Sequence, residues 1–120
     1  MAKPSRRSHR VADLVRAEIS NLLLTQTHDP ALKNITITDV EMPSDLKSAR
    51  VYFSVLGGEA EREEAGKALG RAAGYLRGEV GRRCGLRYAP ELRFLADRSL
   101  EQAARVEELL AQVLPPKEED

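Results

Sequence analysis

The chain has 120 residues, 42% hydrophobic and 4% aromatic, with no Trp and a formal net charge of +0. That length and apolar content predict one domain with an aliphatic core; balanced charge argues against indiscriminate polyanion coating, and few aromatics argue against extensive base stacking. A single cysteine, Cys84, excludes an internal disulfide, and no apolar run approaches a bilayer span or the apolar stretch of a signal peptide, so a cytoplasmic protein is expected.

Lys3, Arg6, Arg7 and Arg10 open the chain as a basic arm over residues 1–10. Val11, Leu14, Val15, Ile19, Leu22 and Leu23 recur at helical spacing, predicting an amphipathic helix from Ser5 to Thr25. Asp29-Pro30 breaks it. Ile35 and Ile37 alternate with Thr36 and Thr38 as a strand, and the parity shift at Val40 and Met42 predicts a bulge. Pro43-Ser44-Asp45 turns the chain. Ala49, Val51, Phe53 and Val55 alternate with polar residues in a second strand, expected to form a hairpin with the first.

After Gly57-Gly58, Glu59 to Glu64 suit the positive end of a helix dipole. Ala65, Leu69, Ala72, Ala73, Leu76 and Val80 give that helix an apolar face. A short strand around Leu92 and Phe94 follows. Ser99 and Gln102 look like a capping box for a last helix carrying Val106, Leu109, Leu110 and Val113, which Pro115-Pro116 stops. The reading is α+β: residues 1–114 as one domain and residues 115–120 as a short acidic tail.

The stretch from Arg71 to Phe94 segregates charge. Arg71, Arg77, Arg82, Arg83, Arg87 and Arg93 are opposed there only by Glu79 and Glu91. Gly66, Gly70, Gly74 and Gly78 fall four apart, each costing about 1 kcal/mol relative to alanine inside a helix. A continuous helix would also bring Arg83 near the apolar ridge. A kink relieves the conflict, with Gly74 a natural position and Gly81 a second candidate, and a helix restarting after the break would offer free N–H groups beside the arginines, suited to phosphate. The competing readings are a solvated face for the arginines and close helix–sheet packing for the glycines.

Nothing in the sequence assembles a reaction site. His9 and His28 are not at paired ligand spacing. Cys84 beside Arg82 and Arg83 is a candidate for a lowered pKa, with a small packing residue as the alternative. No enzyme activity, metal, cofactor or small-molecule substrate is expected.

In their order, Arg10-Val11, Asp29-Pro30, Thr36-Ile37-Thr38, Ser44-Asp45-Leu46 and Ala49-Arg50-Val51-Tyr52 resemble the bacterial ribosome-binding factor A family. Ala72-Ala73-Gly74 with Leu76-Arg77, and Leu86-Arg87, Pro90-Glu91-Leu92, Phe94 and Asp97, continue the resemblance, which runs from Arg6 to Leu110. It implies a type II KH-like domain: a small three-stranded sheet packed against helices in the order α-β-β-α(kink)α-β-α. The family lacks the usual GxxG loop and has an interhelical Ala-x-Gly kink, matched by Ala72-Ala73-Gly74; Gly78-Glu79-Val80-Gly81 is then a decoy. The resemblance further implies an assembly factor that binds the free small (30S) ribosomal subunit and its 16S rRNA. That role covers late maturation, rRNA end processing and cold adaptation.

On this reading the RNA-binding residues are Arg71, Arg77, Arg82, Arg83 and Arg87 around the kink, with Lys3, Arg6, Arg7 and Arg10 as a basic arm that adds affinity, in a monomer with no membrane contact. A generic KH-like RNA-binding module and a protein-interaction domain are the alternatives.

Overall fold

The computed structural model describes residues 3–113. Its elements are α1 (Arg6–Thr25), α2 (Pro30–Lys33), β1 (Ile35–Glu41), β2 (Ser48–Val55), α3 (Glu59–Arg83), β3 (Glu91–Ala96) and α4 (Ser99–Val113). The acidic tail and the side chain of Gln102, which the expected capping box at Ser99 involves, lie outside the described residues.

Reciprocal serine contacts start α1. Ser8 Oγ accepts from the Ser5 N–H at 2.6 Å and Ser5 Oγ accepts from the Ser8 N–H at 3.1 Å. This fixes the first turn, and Ser8 is fully buried without leaving its hydroxyl unpaired, because it also donates to the Ser5 carbonyl. Ala12, Val15, Ile19, Leu22 and Leu23 form the buried ridge, while Leu14 stays outside it. Asp29 caps α2 by accepting from the Ala31 N–H at 3.0 Å, with Pro30 at the first helical position.

β1 and β2 pair antiparallel, and β2 pairs parallel with β3, so β2 is central in the order β1-β2-β3. The register shifts between Ile37 and Asp39, the bulge that the parity change predicts. One sheet face buries Ile35, Ile37, Val40, Ala49, Val51 and Phe53 in a single core with α1 and α3. The other face carries Glu41, Arg50, Tyr52, Arg93 and Leu95 and is largely open.

α3 corrects one expectation. It runs as a single hydrogen-bonded helix through Ala72-Ala73-Gly74, so the two-helix order with a break there is not what the chain adopts. Tertiary packing overrides the glycine penalty: Leu69, Leu76 and Val80 are fully buried, and burying each such side chain stabilises by about 1.5–3 kcal/mol. Together they exceed the roughly 4 kcal/mol that four glycines forgo. Gly70, Gly74 and Gly78 have no neighbouring atom within 4 Å of where a Cβ would stand, so they are open surface.

The glycine that is sterically required lies further on. A Cβ at Gly81 would stand 3.1 Å from Ala89 Cα, so this position lets the segment leading to β3 cross the end of α3. The helix then closes in a Schellman motif: Gly85, at φ +62°, donates to the Arg82 carbonyl at 3.3 Å and Leu86 donates to the Gly81 carbonyl at 2.9 Å.

Candidate nucleic-acid interface

The predicted basic residues separate into two groups. Arg6, Arg7 and Arg10 are not a loose arm; they occupy the first turns of α1 and are exposed. No acidic residue shares that first turn, and among the described residues none of the three is in an ion pair. Cations at the positive end of a helix dipole are unfavourable, so the folded protein keeps here a positive potential that it does not neutralise. The Lys3 carbonyl accepts from the Ser44 N–H at 3.1 Å, which pins the segment before α1 to the β1–β2 turn.

The α3 arginines are also exposed, but each is engaged. Arg71 donates to Asp29 Oδ2 at 3.1 Å, tying α3 to α2, and Arg77 donates to the Ala89 carbonyl at 3.3 Å. Arg82 donates to Glu79. Arg83 lies 3.5 Å from Glu79 and 3.7 Å from Glu18 of α1, which is how a continuous helix tolerates an arginine beside its apolar ridge. Arg87 stands 5.6 Å from the Tyr88 ring centroid, a cation–π contact. Without a break at Gly74, no free N–H groups appear there; Gly74 is exposed on the helix between Arg71 and Arg77, while Ala72 and Ala73 are half-buried and Ala72 packs against the core.

The carboxylates respond accordingly. The hydrogen bond from Arg82 holds Glu79 below the usual range, and Ala31 and Arg71 do the same for Asp29. Cys84 goes the other way from the lowered pKa considered for it: burial, then the Glu18 charge, pushes its thiol up. It serves as the C-cap of α3, half-buried against the core. Among the described residues no group of three or more His, Cys, Asp or Glu is placed to hold a metal, and no helix is long and apolar enough to cross a membrane.

Sequence reasoning missed three partners of the basic residues, the first being Asp29, 42 positions from Arg71. Glu18 and Ala89 are distant in the chain from Arg83 and Arg77, and no spacing links them. It also missed the Ser5–Ser8 capping box, although the serine pair was available as a signal.

The ribosome-binding factor A family model matches residues 7–110. A relative of that name from Caldanaerobacter subterraneus subsp. tengcongensis is 42% identical over 114 residues, covering 94% of this chain and 93% of its own. The chain belongs to the ribosome-binding factor A family. The crystal structure of ribosome-binding factor A from Thermus thermophilus superposes with a TM-score of 0.67 at 26% identity, over 77% of this chain and 98% of that one. Coordinates of the Thermus thermophilus factor fitted into a cryo-EM map of a complex with the 30S subunit superpose at 0.62, with 27% identity, over 77% and 96%. The mixed three-stranded sheet with its helices is thus the KH-like fold of this family.

Proposed function

We propose that this protein is a non-catalytic assembly factor that binds the free 30S subunit, contacts its 16S rRNA, and assists late maturation and 16S end processing. Family membership across residues 7–110 carries this reading. The 30S complex of the Thermus thermophilus factor supports the choice of partner. The exposed cations supply the chemistry: Arg6, Arg7 and Arg10, with Lys3 before them, are a free source of phosphate contacts. Arg71, Arg77, Arg82, Arg83 and Arg87 add a second basic surface whose donors must be shared with internal partners. Recognition by shape and phosphate fits a chain so poor in aromatics.

The test is co-sedimentation of the full chain with purified 30S subunits and with 70S ribosomes across a salt series. Binding to free 30S that weakens steeply with salt is expected. Salt-insensitive binding would favour a protein-interaction role, and tight binding to any short oligonucleotide would favour a generic KH-like module.

A further inference from the structure

At the end of the sheet where β1 turns into β2, a cavity of about 310 Å³ has Pro4, Glu41, Pro43, Asp45, Arg50 and Arg93 in its lining. Its volume is at the lower end of the range for small-ligand sites. Arg50 and Arg93 are direct register partners on β2 and β3, both exposed on the open face. Like charges placed opposite each other destabilise a sheet. Among the described residues neither arginine has an ion pair or a hydrogen-bonded acceptor for its side chain. An anion bridging the two guanidinium groups would offset that repulsion.

The remaining lining narrows the ligand. Pro4 and Pro43 offer an apolar edge, while Met42 and Ala49 are buried in the core beneath it. Asp45 accepts from its own turn, the Lys47 N–H at 3.0 Å. Glu41 is the register partner of Arg50, yet no ion pair joins them, so its carboxylate remains an acceptor for a ligand's donors. An anion, a flat apolar body and a donor edge together describe a nucleotide whose base carries N–H groups. The site is continuous with the α1 cations, because Pro4 lines it and Ser5 caps α1.

We propose that this cavity receives one unpaired nucleotide of the bound RNA. Its phosphate bridges Arg50 and Arg93, its base lies against Pro4 and Pro43, and Glu41 accepts from the base edge. Guanine, which offers adjacent N1–H and N2–H donors, fits Glu41 best. This rests on the reading of the protein as an RNA-binding assembly factor and adds a contact on the sheet, away from α3.

The experiment compares the full chain with Arg50→Gln/Arg93→Gln, Glu41→Gln and Arg6→Gln/Arg7→Gln/Arg10→Gln. Free 30S subunits, a short single-stranded guanosine-rich RNA, its uridine counterpart and inorganic phosphate are the probes. For the Arg50/Arg93 variant the melting temperature is expected to hold or rise. Its affinity for 30S should fall about tenfold, and its salt slope should drop by about one. Glu41→Gln is expected to erase a preference for the guanosine RNA over the uridine RNA. In NMR titrations of the wild type, the guanosine RNA should move the Met42, Ser48 and Ala49 amides more than phosphate does. An Arg50/Arg93 variant with wild-type affinity and slope, beside an α1 variant that loses binding, overturns the cavity and leaves the ribosomal reading intact. Equal shifts from phosphate and RNA also overturn it, leaving only an anion site. If the wild type fails to bind 30S, the ribosomal reading falls; the guanosine-RNA shifts then decide the cavity alone.

Discussion

At the start of α1, Arg6, Arg7 and Arg10 stand exposed with no ion pair among the described residues, whereas at the end of α3 Arg82 and Arg83 are already paired with Glu79 and Glu18. Both regions read as basic clusters in the sequence. A ligand phosphate meets unpartnered charge at the first and must compete with a carboxylate at the second. Counting cations therefore overstates α3 as a binding surface and understates it as a joint: its arginines hold α1, α2 and the β3 approach in place.

Neutralising each cluster in turn has the largest expected effect. Arg6→Gln/Arg7→Gln/Arg10→Gln should cost more than about tenfold in 30S affinity and lower the salt slope by up to about three, with the thermal melt nearly unchanged. Arg77→Ala/Arg82→Ala/Arg83→Ala should lose less affinity but lower the melt. Co-sedimentation and circular dichroism on both variants check this, and a reversed order breaks the contrast.

Next in size is Gly81→Val. Overpacking against Ala89 should destabilise by about 1–3 kcal/mol in urea unfolding. Glu18 Oε2 is buried without a hydrogen-bond donor, and the Arg83 guanidinium 3.7 Å away is the charge that offsets it; Arg83→Ala alone removes that charge. It should cost about 1 kcal/mol, given that both side chains are partly solvated. Gly74→Ala faces open space and should stabilise by up to about 1 kcal/mol without altering 30S binding; a loss of stability there would restore a special role for that glycine.

The smallest effect concerns acid. Thr38 donates to Asp97 at 2.6 Å, and the Ser99 N–H donates to it at 2.9 Å, which together hold its carboxyl below the usual range. A depressed pKa contributes stability above the unfolded value, lost as pH falls through the folded one. The melting-temperature gap between wild type and Asp97→Asn should therefore be present at neutral pH and close below about pH 4.

Much of this was legible where the signal is local. The parity change at Val40 announced the bulge, Asp29-Pro30 the capped break, and the spacing of Val15, Ile19 and Leu22 the buried ridge of α1. The family resemblance supplied the fold class. What failed was the continuity of α3. A propensity sum sees four glycines but not that Leu69, Leu76 and Val80 are buried, nor that Glu18 waits across the core for Arg83. The four-residue α2 was too short to show a period, and the cavity between Pro4 and Arg93 joins segments that only the sheet brings together.

The parallel pairing of β2 with β3 has a consequence for how the chain reaches this structure. The β1–β2 hairpin closes a short turn, but β3 can join only after the whole of α3 has been made and docked, and the cost of that long closure precedes its reward. During synthesis β2 therefore waits with one edge unpaired, and Ser48 to Phe53 form the stretch most open to mispairing with another chain. Substitutions in the hairpin, such as Val51→Ala, should slow folding, whereas Phe94→Leu in β3 should mainly speed unfolding.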